Sequence, residues 1–333
     1  MAPSQRKHAS LSEVDPEFAP LIPAVNQAFK EIWTFDDMTE FRSHWTKTRS
    51  TYPEYVPVDG FDLTHQMVAT SDGTEIEIRV WTPTNAGSGK LPLLFVLHGG
   101  GWVVGGHDSE NAMSRSVCVK NQTVVLSVDY RRAPEHKFPT ALNDGYDVYK
   151  WTLENADQLG IDRDRILLGG TSSGANLTAA LALRLRDEGA LHGVLGQLLN
   201  IPVLCHPQQF PHGEYELNSY EQNADSPTIN GKHMIWFWGN LPALSLIVTA
   251  SQANLYQNNI IPKLDQTPWP VAGLDPLRDE GIAYADVLKK AGVDATLKIY
   301  PGLPHGFVLA VKMDVARRYY SSMVEWVAAR LEG

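Results

Sequence analysis

Residues 166–185 read ILLGGTSSGANLTAALALRL: a short apolar run, a serine turn flanked by glycines, and a stretch of helix formers. The turn has the pattern G-x-S-x-G from Gly170 to Gly174, with Ser172 at its centre. In a sharp turn from strand to helix, the positions two before and two after the serine come too close for side chains. By itself the string is also compatible with a chance match in a glycine-rich turn. Its place between a strand and a helix favours a nucleophile elbow, with Ser172 exposed and the helix N-terminus stabilising negative charge.

The sequence around this turn predicts a sheet covered by helices. Glu75 to Trp81 alternates apolar and charged residues, as a half-buried strand does. Leu91 to Leu97 and Thr123 to Val128 are nearly unbroken apolar runs, which suit strands buried on both faces. Helical patterns separate the later strands, as parallel βαβ units require. We therefore expect an α/β fold with a mostly parallel central sheet. Further strands are expected at Ile166–Leu168, Gln197–Leu204 and Thr296–Tyr300, with helices around Leu142–Leu153 and Val315–Trp326.

The string His98 to Trp102, HGGGW, directly follows the buried run 91–97, where the chain leaves the carboxyl end of a strand. Glycines without side chains let backbone N–H groups approach a substrate carbonyl oxygen, and such donors stabilise a tetrahedral oxyanion. A flexible loop is the alternative interpretation. We predict Gly100 and Gly101 as donors, together with the N–H of Ser173, and a structural role for His98.

A nucleophilic serine needs a histidine as base and a carboxylate that orients the histidine. Of 11 histidines, His305 follows the expected strand 296–300 in a turn, and no other histidine after Ser172 has that setting. Asp275 opens the string DPLRDEG, and the order Ser172, Asp275, His305 is the order used by hydrolases of the α/β class. Asp279 and Glu280 are the rival carboxylates, interpreted as charges at a helix start.

The composition of the chain limits the classes of molecule that the protein is expected to bind. The 333 residues carry a net charge of −10, which disfavours nucleic acids and anionic membranes and favours a small, uncharged or cationic substrate. Two cysteines are too few for a disulfide framework, so a reducing compartment is expected. The N-terminal residues contain no apolar run of a signal peptide or membrane span, and we expect a cytoplasmic protein. Oligomeric state is left open.

Five strings together resemble the hormone-sensitive-lipase-like family of α/β-hydrolases, with its HGGGW and GTSAG-type motifs. They are HGGGW, DYRRAPEH (129–136), GTSSG, DPLRDEG and PHGF. The resemblance implies Ser172, Asp275 and His305 as the triad of a serine carboxylesterase that acts on small or medium acyl esters and needs neither metal nor cofactor. It also implies a helical lid formed by residues 1–60 and an insertion at about 205–240, over a catalytic domain of residues 61–333.

The aromatic stretch Met234 to Trp238 falls in the expected lid insertion. We predict that Trp236 and Trp238, with Trp102 of the HGGGW string, contribute to the substrate pocket. An aromatic stretch of this kind is as often the packed interior of a lid.

Three departures from the family pattern stand out. Many relatives read GDSAG, but this chain has Thr171 and Ser173, which resembles the GTSAG subgroup and leaves the nucleophile intact. Arg132 replaces an apolar residue in DYRRAPEH. Before Asp275, where a strand should run into the acid, Thr267–Gly273 contains two prolines and is a poor strand candidate. Either Leu246–Ala250 is the strand and an insertion follows it, or the sequence is locally unusual.

The same constellation also serves lactonases, amidases and acyltransferases, because each reacts at an acyl carbon. A small-molecule receptor on a hydrolase scaffold is an alternative from another class, although such a receptor typically lacks part of the triad, and here all three members are present.

Overall fold

A computed structural model describes residues 7–35, 37–49, 57–241, 265–293, 295–309 and 313–332. Eight strands form one sheet in the order β1-β2-β4-β3-β5-β6-β7-β8. The pairs β1/β2 and β2/β4 are antiparallel, and the remaining pairs are parallel. The strands are β1 (Phe61–Ala69), β2 (Glu75–Pro83), β3 (Leu91–Leu97), β4 (Val124–Val128), β5 (Ile161–Thr171), β6 (Val194–Asn200), β7 (Asp265–Ala272) and β8 (Ala295–Tyr300).

Helices join and cover these strands. The described helices are α1 (Ile22–Ile32), α2 (Met38–Arg49), α3 (Asn111–Asn121), α4 (Thr140–Glu154), α5 (Ala156–Leu159), α6 (Ser173–Asp187), α7 (Ser219–Gln222), α8 (Gly231–Gly239), α9 (Arg278–Lys290) and α10 (Asp314–Leu331). The predicted α/β class with a mostly parallel sheet is confirmed, as are the expected strands at 75–81, 91–97 and 296–300 to within two residues. The turn pair Asp72-Gly73 predicts a hairpin before the strand at 75–81, and β1 is the antiparallel partner of β2 on the other side of that turn.

The unbroken apolar runs have a simple structural cause. Leu93, Phe95 and Leu97 of β3 pack into the core on one face of the sheet, whereas Leu94 and Val96 pack into the core on the other. A strand between two helical layers must therefore be apolar at every position.

Strand β7 contradicts the expectation that Thr267–Gly273 is a poor strand, because the strand includes both Pro268 and Pro270. Its register with β6 is confined to two pairs at its first residues, Asp265 and Gln266, after which it pairs with β8. The carbonyl of Pro270 accepts from the Ile201 amide, on the side of β6. Because the N–H and C=O of a strand residue point the same way, the missing N–H of Pro270 faces β6 beyond the end of that ladder. Pro270 thus removes no bond of the ladder between β7 and β8. The alternative strand Leu246–Ala250 lies outside the described residues.

Four parallel strands deliver chain segments to one edge of the sheet. The loop after β3 starts at His98, the turn after β5 holds Ser172, and the loops after β7 and β8 hold Asp275 and His305. Ligands of α/β proteins bind at this carboxyl edge.

The N-terminal segment packs against two of these loops. Gly302 donates its N–H to the Leu11 carbonyl at 2.8 Å and accepts from the Asp15 amide at 3.1 Å. Within the described part of the chain, no helix has both the length and the apolar composition needed to cross a bilayer.

Candidate active site

The turn between β5 and α6 is a nucleophile elbow. Ser172 has φ 56° and ψ −118°, a left-handed conformation that is strained for a residue with a side chain. Any Cβ at Gly170 would collide with the backbone of Gly174 and with the Leu97 carbonyl, and one at Gly174 would collide with the carbonyls of Leu97 and His98. The glycines of G-x-S-x-G are therefore required by close backbone approach, as the sequence predicted.

Ser172, His305 and Asp275 form a continuous chain of hydrogen bonds. The distance from Ser172 Oγ to His305 Nε2 is 2.9 Å, and the distance from His305 Nδ1 to Asp275 Oδ2 is 2.7 Å. All three side chains are buried. This geometry lets the imidazole take the serine proton through Nε2 while Nδ1–H donates to the carboxylate.

The corner that carries Asp275 is held by side chains of residues 218–223 and of helix α9. Asn223 Nδ2 donates to the Asp275 carbonyl at 2.8 Å, and the second Asp275 oxygen accepts from the Leu277 amide at 2.9 Å. Asp279, a rival carboxylate, accepts instead from the amides of Asn218 and Ser219 at 2.7 and 2.8 Å.

The other rival carboxylate also points away from the imidazole. Glu280 accepts from the Leu204 amide at 2.7 Å. Burial raises the pKa of Glu280 well above its usual range. Of the three candidates, the structure brings Asp275 to His305.

The HGGGW loop lies beside the elbow, and Gly100 and Gly101 border the same cavity as Ser172. Neither glycine N–H makes a hydrogen bond to any described residue, and the N–H of Ser173, at the first position of α6, has no partner within the helix. His98 is fully buried, stacks on Tyr130 at 4.0 Å between ring centroids, and has its carbonyl held by the Tyr130 hydroxyl at 2.7 Å. These contacts give His98 the structural role expected for it.

A cavity of about 200 Å³ opens above Ser172. Its polar side chains are few: Thr171, Ser172, Thr228 and His305. The rest of the wall is glycine backbone or apolar. The apolar side chains are Phe18, Val25, Phe29, Ile32 and Trp45 from the N-terminal segment, Ile229, Met234 and Phe237 from the segment around α8, and Ile201, Pro304 and Phe307 from strand ends.

The sequence profile of the alpha/beta hydrolase fold family matches residues 94–309. The chain is an α/β-hydrolase. It is 32% identical over 332 residues to an AB hydrolase superfamily protein of Schizosaccharomyces pombe, covering 98% of this chain and 96% of that protein. It is 31% identical over 300 residues to the carboxylesterase NlhH of Mycobacterium tuberculosis, covering 88% and 89% of the two chains.

A similar solved structure is that of vibralactone cyclase, with a TM-score of 0.82, 27% identity and 97% coverage of both chains. The family and the esterases among its relatives place the hydrolase in the hormone-sensitive-lipase-like branch. The protein is a serine-type carboxylic ester hydrolase.

The three tryptophans predicted for the substrate pocket of the hydrolase lie outside the cavity lining, which corrects that assignment. Trp102 is buried against Trp238, with ring centroids 4.7 Å apart, and Trp236 is partly exposed. Helical spacing is the reason: Met234 and Phe237 are three residues apart on α8 and share the face that borders the cavity. The ring of Phe237 lies directly on Gly101, where it leaves no room for a Cβ.

Two charged residues that the motif analysis left unassigned support the HGGGW loop. Arg132 donates to the Gly105 carbonyl at 2.6 Å and to Asp129 at 2.9 Å, which gives the unexpected arginine of DYRRAPEH a structural role. Glu110, which the sequence analysis did not single out, accepts from the Gly99 amide at 3.0 Å and from the Thr171 hydroxyl at 2.7 Å. No motif marks Glu110, because its partners become neighbours only when β3 and β5 pair.

Proposed function

We propose that the hydrolase cleaves esters through Ser172, His305 and Asp275. His305 Nε2 takes the proton of Ser172 Oγ, and the oxygen attacks the ester carbonyl. Asp275 holds the imidazole in the tautomer that presents Nε2 to the serine, and stabilises the imidazolium once it forms. The observation that carries the proposal is the chain of 2.9 and 2.7 Å hydrogen bonds at the cavity floor.

The N–H groups of Gly100, Gly101 and Ser173 are the proposed donors to the tetrahedral oxyanion. Each such donor contributes roughly 3 kcal/mol to the stability of the transition state. Collapse of the intermediate expels the alcohol, which receives its proton from His305, and leaves an acyl group on Ser172. Water activated by His305 then attacks the acyl-enzyme, and the carboxylic acid departs as Ser172 regains its proton.

The proposed substrate is an uncharged ester with a small or medium apolar acyl group. The apolar wall of a 200 Å³ cavity supports this class, because a charged acyl chain would lose its hydration there without compensation. A net charge of −10 further disfavours anionic substrates.

We propose that residues 1–60 and about 205–240 act as a lid over the catalytic domain of residues 61–333. Both segments contribute side chains to the cavity wall, and they touch each other where His233 of α8 stacks on Trp33, with ring centroids 3.8 Å apart. Burial lowers the pKa of His233 to about 4, so the stacked imidazole is neutral at neutral pH.

The decisive test combines labelling and turnover. A fluorophosphonate probe should modify the native protein at Ser172, and Ser172→Ala should remove both labelling and hydrolysis of p-nitrophenyl esters. Ser321→Ala, on the exposed side of α10, is the matched control and should retain both. A folded native protein that resists the probe, or a Ser172→Ala variant with undiminished turnover, would contradict the mechanism.

The same enzyme preparation tests the substrate class. Across p-nitrophenyl esters of increasing acyl length, kcat/KM should rise while the chain fits the cavity and fall once it does not. Phe237→Ala should move the optimum to longer chains, because it removes a ring from the cavity wall. If the dependence of kcat/KM on acyl length is the same in Phe237→Ala as in the native protein, the acyl group does not bind against Phe237.

Acyl transfer or lactone formation is the second candidate, and likeness to a protein named vibralactone cyclase supports it. An acyl-enzyme can be intercepted by any hydroxyl or amine held in place of water. Product analysis with added alcohols and amines separates the reactions, since a hydrolase yields mainly the free acid at low acceptor concentration whereas an acyltransferase yields mainly the transfer product.

A cytoplasmic location remains our proposal. Cys118 and Cys205 are both buried and unbridged. Burial raises the pKa of Cys118 to about 12, so this thiol is neutral and poorly nucleophilic. Subcellular fractionation of the expressed protein provides the test.

A further inference from the structure

A buried glutamate joins the two chain segments that supply the proposed oxyanion donors. We propose that Glu110 is a positioning residue: its carboxylate fixes the HGGGW loop against the elbow, so that the amides of Gly100, Gly101 and Ser173 converge on one oxygen. This inference rests on the proposed function.

Glu110 forms a bridge between the two segments, with one hydrogen bond to each of them. Glu110 ends a short 3-10 helix, His107–Glu110, and its side chain is 2% exposed. One oxygen accepts from Gly99 N–H at 3.0 Å, and the other accepts from Thr171 Oγ at 2.7 Å. Gly99 directly precedes the first proposed donor, and Thr171 directly precedes the nucleophile. A carboxylate offers two acceptor oxygens on one rigid plane and can therefore hold both segments at once.

The elbow is also bonded from its other side. Asn200, at the end of β6, accepts from the Ser172 amide at 2.8 Å through its carbonyl, and its Nδ2 lies 3.4 Å from Thr171 Oγ. Thr171 and Ser172 are thus fixed between Asn200 and Glu110. Backbone packing also joins the HGGGW loop to the elbow, and Glu110 adds a side-chain link between Gly99 and Thr171.

The relative position of these two segments matters, because the stabilisation of an oxyanion depends on the distance from each N–H donor to the oxygen. Donors must lie about 2.7–3.1 Å from the position that the oxyanion will occupy, and here they come from two separate loops. The Gly99 N–H is engaged by Glu110, which leaves the two following amides for the substrate. A direct electrostatic role for Glu110 is unfavourable, since a negative carboxylate near the hole opposes a developing negative charge.

The test is a double-mutant cycle on Glu110→Gln and Thr171→Val. Glutamine keeps one acceptor oxygen for Gly99 but loses the second, and valine removes only the hydroxyl. Because a displaced donor costs less than the 10²–10³-fold loss of a deleted one, each variant should lower kcat by about 10- to 100-fold with KM within about twofold. The double variant should be no worse than the more damaged single one, since both break the same bridge.

A second readout separates positioning from general destabilisation. Affinity for an alkyl boronic acid, which becomes tetrahedral on Ser172, should fall by the same factor as kcat/KM. Glu280→Gln is the matched control, because Glu280 is also buried and also accepts backbone amides, from Leu204 at 2.7 Å and Cys205 at 3.5 Å. This control should keep its kcat and its boronate affinity.

Each other outcome overturns the inference. Native kcat in folded Glu110→Gln, or a lowered melting temperature with unchanged boronate affinity, would reduce Glu110 to a structural residue, and a raised kcat would mean that its charge dominates. Should Glu110→Gln fail to fold, Thr171→Val carries the test by the same criteria. Failure of the proposed function would instead appear in the native protein, as absence of fluorophosphonate labelling at Ser172.

Discussion

The elbow of Ser172 and the corner of Asp275 each position one side chain of the hydrogen-bonded chain at the same edge of the sheet. Different kinds of contact hold the two segments in place. The elbow is set by backbone packed on backbone, around Gly170 and Gly174, between strands paired along their length. The Asp275 corner follows a strand with two prolines and a short ladder to β6, and side chains such as Asn223 fix it. The elbow is therefore sensitive to added atoms, whereas the corner is sensitive to the removal of side chains.

The largest effect is expected at the acid itself. Asp275→Asn keeps the shape of the corner but favours the wrong imidazole tautomer, so kcat should fall on the order of 10⁴-fold. Asp279→Asn is the control, because Asp279 accepts from the amides of Asn218 and Ser219 and does not contact His305. The measurement is the steady-state kcat of both folded variants, which should fall in Asp275→Asn and not in Asp279→Asn. A greater loss in Asp279→Asn would reverse the assignment of the acid.

The next effect concerns the side chains that fix the corner. Arg278 is fully buried and donates to Asp279 at 2.8 Å and to Ser12 at 2.9 Å. Arg278→Ala leaves the Asp279 carboxylate buried without its ion-pair partner. The free energy of unfolding should therefore fall by about 3–5 kcal/mol. Arg317→Ala, in an exposed pair with Asp314, should change it by less than about 1 kcal/mol. Urea denaturation measures both, and equal losses would mean that the corner does not depend on its buried ion pair.

A smaller effect is expected from added atoms at the elbow. Gly174→Ala places a methyl group against the carbonyls of Leu97 and His98 and should cost about 1–3 kcal/mol of stability. It should also lower kcat, because the displaced turn carries Ser172. Gly213→Ala has open space around its Cβ and should leave both unchanged. If Gly174→Ala were as stable and active as the native protein, backbone contact would not be what sets the elbow.

The smallest effect is a dependence of stability on pH. Burial raises the pKa of Glu280 above the 4.5 of the unfolded chain, so the folded state holds a proton that the unfolded state has lost. Stability from this group is complete below pH 4.5 and declines as pH rises through the folded pKa, by at most about 1.4 kcal/mol per pH unit. Glu280→Gln should flatten the dependence of the unfolding free energy on pH above pH 5, as measured by chemical denaturation. If the unfolding free energy of both proteins has the same slope against pH, the pH dependence arises from other groups.

The sequence predicted the elbow side more completely than the acid side. Glycine spacing and unbroken apolar runs are local signals, and they located Ser172, the HGGGW loop and strands β3 to β5. The prediction about Thr267–Gly273 was wrong, because the penalty for proline depends on which neighbour its missing N–H would face. Glu110 and the cavity-facing side of α8 depend on contacts between distant segments, which no string of residues reveals.

The Thr228 hydroxyl donates to the His305 carbonyl at 2.8 Å, and Thr228 also borders the cavity. The position of Thr228 and the position of the His305 backbone are therefore coupled. A movement of residue 228 away from the cavity would break its bond to the His305 backbone carbonyl, and a ligand that favours this bond would favour the inward position of residue 228. A substrate too large for the closed cavity would bind with His305 less firmly held. Discrimination by size would then appear in kcat as well as in affinity.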